Sequence, residues 1–395
     1  MKFQHDEKLE VGKIKILSLI SLLMGFSQGL FVYVMSSYFK ESSGTENVGV
    51  FYFISFFVVL IVLLNLHKIV KKIGKSDFFY LSMLFKIFSI IFLLFVSPGR
   101  IGIAAVIVYN VFLDLEWVGL DMLLESYSSD KKSGQIRGAY LVSMNVGFLL
   151  SPLVSAFLLG RYGYYGIFVW SLFLNVVVLL FGILKIGKAN HRFVGKLGVW
   201  DVIKKTAKRK DISRILYISF VLDFFFALMV IYSPMYLLSL GFSWEELGII
   251  FTVMLASFVL IQYPAGLLAD KKFGEKEMLI GAILIMSLST LSIYFITPGS
   301  VVLWSFIFFI TRIGAAIIQI LRDSYFYKRI DAHDVDMINI FRTSYPLGYI
   351  FAAIASAIVL LVFPLKAIFI LTAGVVLSAL YPACRLEDNQ AEVKI

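Results

Sequence analysis

Apolar residues run in blocks of about 20, cut by short polar breaks, near 13–38, 48–66, 77–97, 101–125, 139–160, 164–185, 213–239, 245–268, 276–296, 300–322, 339–362 and 365–384. A block of that length is what a helix needs to cross about 30 Å of hydrocarbon. The expected fold is an all-α polytopic membrane protein with 12 transmembrane helices. The longest polar stretch, 186–212, separates six spans from six, so two six-helix bundles are expected at 1–185 and 213–395. Within that linker Trp200, Val202 and Ile203 stand beside Lys204 and Lys205. They suit a short helix lying on the anionic inner leaflet; a solvated linker is the plainer alternative.

The fourth span breaks the apolar pattern with Asp114, Glu116, Asp121 and Glu125. Asp114, Asp121 and Glu125 sit at i, i+7 and i+11, and 198 residues later Arg312, Gln319 and Asp323 repeat the spacing. On a helix this interval keeps the three side chains on one stripe. Ser126-Tyr127 returns as Ser324-Tyr325, Gly74 as Gly274, Pro98-Gly99 as Pro298-Gly299, and Gly147 as Gly348. Such matches indicate two pseudo-symmetric halves in parallel orientation, a transporter plan that places a binding site at mid-membrane between them. Gly25 and Gly29 in the first span, and Gly147, Ser151 and Ser155 in the fifth, have the small-residue spacing of close helix contact. Ser243-Trp244-Glu245-Glu246 reads as a capping box ahead of the eighth span.

Of the 395 residues 60% are hydrophobic, against about 45–50% in soluble chains. The net charge of +10 does not point to nucleic acid. With the N-terminus inside, 30 of the 36 Lys and Arg fall in inner segments, while Lys40, Arg100, Arg161 and Lys366 lie outside and Lys86 and Arg312 lie within spans. That asymmetry sets topology, with both termini cytoplasmic and the protein in the plasma (inner) membrane. The first block is too long for a signal peptide and reads as an uncleaved helix. One cysteine, Cys384, and four scattered histidines give no metal-ligand or disulfide pattern. No cofactor and no enzymatic nucleophile–base arrangement are expected.

Between the eighth and ninth spans the chain reads Gly266-Leu-Leu-Ala-Asp270-Lys271-Lys272-Phe-Gly274. This loop, with 12 spans, the six-plus-six repeat and the basic central linker, resembles the major facilitator superfamily along essentially the whole sequence. The resemblance implies alternating access about a cavity lined mainly by the first, fourth, seventh and tenth spans. It also implies an inner-gate latch at Asp270 and Lys271. The counterpart loop at 66–75 departs from the pattern, with Leu66 in place of the glycine and Val70 in place of the acid.

A charge at the bilayer centre costs roughly 2.5–3.5 kcal/mol on insertion scales, so it needs a partner or water. Arg312 stays protonated, as an arginine side chain does in proteins. Its anion is Asp114, Asp223 or a substrate carboxylate or phosphate; a permanent Arg312–Asp223 pair would be purely structural. Asp114 or Asp223 is the candidate proton-coupling acid, with Asn110, Gln319 and Gln28 as further cavity residues. Glu116 faces away from the stripe toward Lys86, which suggests a structural pair. Asp121, Glu125 and Asp323 belong to an inner vestibule. The expected function is a proton-coupled secondary transporter, acting as a monomer on a small zwitterionic, polar or cationic amphipathic solute. Drug-like efflux, or a non-transporting receptor or scaffold with the same fold, remain open.

Overall fold

A computed structural model describes residues 11–127, 133–187, 206, 208–269, 273–296, 299–330 and 335–387, with residues 11, 125, 133–139, 335, 336, 338 and 339 described in their backbone only. The first half holds α1 (Val11–Ser43), α2 (Gly49–Leu64), α3 (Leu66–Ile73), α4 (Lys75–Leu93), α5 (Arg100–Tyr127) and α6 (Ser133–Phe181). The second holds α7 (Lys210–Ser239), α8 (Trp244–Leu268), α9 (Glu275–Phe295), α10 (Val301–Lys328), α11 (Val335–Leu360), α12 (Ala367–Ser378) and the short α13 (Leu380–Cys384). Among the described residues ten helices are long and apolar enough to cross a bilayer, and the bent pair α2–α3 makes an eleventh. Helix α6 contains two crossings, because Gly163 breaks it at φ 61°, a backbone region that glycine enters without a Cβ penalty. The 12 crossings match the apolar blocks of the sequence.

Local chemistry sets several boundaries. Ser243 Oγ accepts from Glu246 N at 3.3 Å while Glu246 Oε2 accepts from Ser243 N at 2.7 Å, the reciprocal cap that the sequence suggested for α8. Ser300 caps α10 through Leu303 N. The basic segment after the second span, expected as a turn, is instead the helix α3, bent 66° from α2. Leu66, Ile69, Val70 and Ile73 recur at helical spacing, and Leu66 and Val70 are buried while His67, Lys68, Lys71 and Lys72 are exposed. The two residues that depart from the family loop are thus the apolar face of an amphipathic helix.

By Cα proximity the chain forms two compact units, Met1–Val32 with Asn65–Phe193, and Tyr33–Leu64 with Val194–Ile395. In the first unit, Leu17, Ile20, Met24, Phe79, Met83, Leu120, Leu123 and Val178 form a buried cluster. Helix α1 meets α6 backbone to backbone: a Cβ on Gly25 would stand 2.6 Å from the Met144 carbonyl oxygen. Beside that crossing Ser155 Oγ donates to the Leu30 carbonyl at 2.7 Å, and Asn175 Nδ2 donates to Ser27 Oγ at 2.8 Å. Lipid offers no hydrophobic gain for helix association, so such close packing and interhelical hydrogen bonds carry it.

In the second unit, Gly348 of α11 lies against α7, where a Cβ would stand 2.7 Å from Asp223 Cβ. Tyr232 of α7 donates to Ser356 of α11 at 2.9 Å, and Phe56 of α2 stacks on Tyr349 at 4.0 Å. Trp304 is fully buried among Tyr236, Phe242 and Phe308.

The repeat of the sequence is also a repeat of contacts. Gly74 and Gly274 take positive φ (93° and 75°) at the starts of α4 and α9. The next residue reaches the equivalent serine in each half, Lys75 Nζ donating to Ser126 Oγ at 2.9 Å and Ser324 Oγ donating to Glu275 Oε1 at 3.1 Å. Each adjoining tyrosine ring carries a cation, Lys13 over Tyr127 at 4.5 Å and Arg329 over Tyr325 at 4.6 Å.

Candidate functional site

In the first unit the outer part of the polar stripe of α5, Asn110 and Asp114, is buried. Asp114 is 7% exposed and Asn110 4%. Asp114 Oδ2 and Asn110 Nδ2 have no hydrogen-bond partner among the described residues. One turn further along, Trp117 Nε1 donates to Gln28 Oε1 of α1 at 2.6 Å. Asn110, Asp114 and Trp117 follow one another at i, i+4 and i+7, so this face of α5 is the one turned toward α1. Asp121 continues the stripe and is half-buried. The side chain of Glu125 lies outside the described residues.

On the opposite side of α5, Glu116 Oε1 accepts from Lys86 Nζ of α4, and both side chains are fully buried. Leaving either charge alone in the bilayer would be costly, and the direct contact with its opposite offsets much of that cost. Lys86 also sits 6.0 Å from the Tyr109 ring. The pair locks α4 to α5 and faces away from Asp114.

In the second unit, Arg312 of α10 is 2% exposed. Its Nε and Nη1 find no acceptor among the described residues. The guanidinium lies over two rings of α7, 5.0 Å from Phe225 and 5.5 Å from Phe226. Cation–π contact of this kind contributes about 0.5–2 kcal/mol, less than the several kcal/mol that a desolvated charge costs. Two turns along α10, Gln319 Oε1 accepts from Gln262 Nε2 of α8 at 3.0 Å.

Asp223 does not serve Arg312. Its Oδ1 stands 3.2 Å from Arg322 Nη1, and its Oδ2 accepts from Ser344 Oγ of α11 at 2.7 Å. Arg322 also donates to the Ser219 carbonyl at 3.2 Å and meets Asp323 at 3.4 Å. Asp223 and Asp323, assigned to cavity and vestibule, are thus joined by one arginine, and the structural Arg312–Asp223 pair does not form. Arg322 is hard to single out in the sequence, because a basic residue at the end of a span resembles a topogenic charge. The signal that could have found it is Asp223 itself, a mid-span acid in need of a cation.

Gly266 and Gly274 of the loop after α8 are described, whereas Asp270 and Lys271 lie outside the described residues. Among the described residues no cluster of His, Cys, Asp and Glu could hold a metal.

The sequence pattern described as Major Facilitator Superfamily matches residues 17–335 and again 245–394. The chain belongs to the Major Facilitator Superfamily. Its 12 membrane-crossing helices in two pseudo-symmetric six-helix halves are the fold of that family, and a transporter fold. Among solved structures, the nucleoside transporter NupG, determined as an aspartate-to-alanine variant, superimposes with a TM-score of 0.74 at 13% identity. The alignment covers 94% of this chain and 99% of that one. No curated protein sequence matches. This member of the superfamily differs from its own repeat in sign: where one half buries Asp114, the other buries Arg312.

Proposed function

We propose that this protein is a proton-coupled secondary transporter that carries a small organic solute by alternating access. The observation that supports the reading is a matched pair of orphaned groups. Asp114 Oδ2 in one repeat, and Arg312 Nε and Nη1 in the other, are buried without hydrogen-bond partners among the described residues. Ionisable groups inside a membrane are retained where they pair, relay protons or contact a substrate. Lys86, Glu116, Asp223 and Arg322 have protein partners; Asp114 and Arg312 are the two that await something else.

In this reading Asp114 is the protonation site, Asn110, Gln28 and Gln319 add hydrogen bonds to the solute, and Arg312 neutralises or recognises charge. Residues 1–185 and 213–395 act as the two moving halves, and Asp270 and Lys271 latch the inner gate. The Asp223–Arg322–Asp323 cluster holds the middle of α7 to the last turns of α10. The protein works as a monomer in the plasma membrane with both termini in the cytoplasm.

The test is flux of a broad solute panel into proteoliposomes, with and without an imposed pH gradient. Accumulation of at least one solute only under the gradient is the expected result. A panel in which no solute crosses above protein-free vesicles counts against transport, and gradient-independent accumulation counts against proton coupling.

A further inference from the structure

Resting on that reading of the site, we infer that the solute is an aromatic organic anion whose oxyanion group is bound by Arg312. Within the second unit most of the buried charged residues of the spans meet an opposite charge among the described residues. Asp223 and Asp323 meet Arg322, and Glu275 meets Lys328 at 2.7 Å. Asp211 meets Arg214 and Arg329 at 2.8 and 3.0 Å. Arg312 is left with two buried N–H groups and no acceptor among the described residues.

An arginine cannot escape this by losing its proton. Its planar fork is matched by a carboxylate or phosphate, which supplies charge and two hydrogen bonds together. Phe225 and Phe226, with ring centroids 5.8 Å apart, stand on one side of the guanidinium, and the anion is taken by the edge, where the orphaned Nε–H and Nη1–H lie.

The surface that continues from Arg312 specifies the body of the ligand. Phe226 is half-buried and stands 6.1 Å from the ring of Phe258 on α8. Phe258 is one turn from Gln262, whose amide bonds Gln319. Gln319 lies seven residues beyond Arg312 on α10, roughly 10 Å along a helix. A guanidinium edge, an aromatic wall and an amide pair therefore follow one another across α7, α8 and α10. A flat ring with an oxyanion at one end satisfies the first two, and the amide pair takes polar groups at the other end.

The test uses the purified full-length protein in lipid nanodiscs and three matched probes: phenylacetate, its neutral amide phenylacetamide, and acetate. Binding is read by thermal stabilisation and by competition with labelled phenylacetate. Wild-type protein should bind phenylacetate at least tenfold more tightly than either control. Arg312→Gln should lose that preference by about tenfold to a hundredfold, the range for a charged hydrogen bond, and Arg312→Lys should retain part of it. Phe226→Ala should bring phenylacetate toward acetate while leaving the effect of Arg312→Gln on acetate intact.

Equal binding of phenylacetamide and phenylacetate, or unchanged phenylacetate binding in a folded Arg312→Gln variant, overturns the inference. If Arg312→Gln does not fold, the wild-type comparison of the three probes decides alone. Flux of neutral solutes with none of phenylacetate overturns the anion assignment and leaves transport standing. Absence of all solute flux removes the transport reading, whatever the probes bind.

Discussion

Arg322 Nη1 lies 3.2 Å from Asp223 Oδ1, whereas Arg312, ten residues earlier on the same helix, has no acid paired with it among the described residues. The two arginines thereby separate into different roles. Arg322 is held by Asp223, Asp323 and the Ser219 carbonyl and ties α10 to α7. Arg312 lies against the rings of Phe225 and Phe226, and its Nε and Nη1 find no acceptor among the described residues. A charge with fixed partners stabilises one arrangement of helices; a charge without them is available to a ligand.

Removing Arg322 should therefore damage the fold before it damages selectivity. Arg322→Gln leaves Asp223 buried with Ser344 as its remaining side-chain partner. Breaking a buried pair from one side costs about 3–5 kcal/mol. The apparent melting temperature of the detergent-purified variant should fall by several degrees. Asp223→Asn should cost less, because Arg322 keeps Asp323. Combining the two should recover part of the loss; a double variant as unstable as the sum of the singles would deny the coupling.

Lys86 and Glu116 make the same argument in the other half, with both side chains fully buried. Lys86→Met alone should lower stability by about 3–5 kcal/mol, whereas Lys86→Met with Glu116→Leu should return close to wild type, since apolar residues replace a buried pair at little cost. Exchanging the charges as Lys86→Glu with Glu116→Lys should keep the protein folded and active. Loss of both folding and flux in the exchanged variant would show that the orientation of the pair matters beyond structure.

Gly348 should tolerate no side chain. A Cβ there would stand 2.7 Å from Asp223 Cβ and 2.8 Å from the Phe224 nitrogen, so α11 and α7 would have to part. Overpacking of this kind costs about 1–3 kcal/mol, and Gly348→Val should be worse than Gly348→Ala. Gly281 of α9 is the internal control, with nothing within 4 Å of its Cβ position. Gly281→Ala should leave the melting temperature unchanged or raise it by the equivalent of about 0.5–1 kcal/mol, as expected for a helix interior. Equal effects at both positions would refute the close approach.

The crossings and the repeat were legible in the sequence because lipid imposes them. A span must be apolar for about 20 residues, and an ionisable residue inside one is conspicuous. Gly147 and Gly348 could be matched by position, and both lie at close crossings, Gly147 against α1 and Gly348 against α7. What the sequence withheld is pairing. Asp223 had two arginines on one helix to choose from, and which one it meets depends on how α7 rotates against α10. The hydrogen bond from Trp117 to Gln28 depends likewise on the mutual rotation of α5 and α1. Helix α3 was hidden for a different reason: its eight residues are short for a helix, and four basic side chains masked the stripe of Leu66, Ile69, Val70 and Ile73.

The decisive variant for coupling is Asp114→Asn. Asp114 Oδ2 lies buried with no donor among the described residues, and Asn110 one turn away is orphaned at Nδ2. The asparagine keeps shape and hydrogen-bonding capacity but cannot take up and release a proton. If Asp114 carries the coupled proton, Asp114→Asn should express and fold as wild type. It should exchange labelled for unlabelled solute across vesicles at equal concentration, because exchange needs no net proton movement. Accumulation driven by a pH gradient should vanish, a loss of at least tenfold against wild type. Asp223→Asn supplies the contrast: that acid is already held by Arg322 and Ser344, so its removal should lower stability while the response to the gradient survives. Gradient-driven accumulation that persists in Asp114→Asn and disappears in Asp223→Asn would reverse the assignment and move the proton to the seventh span.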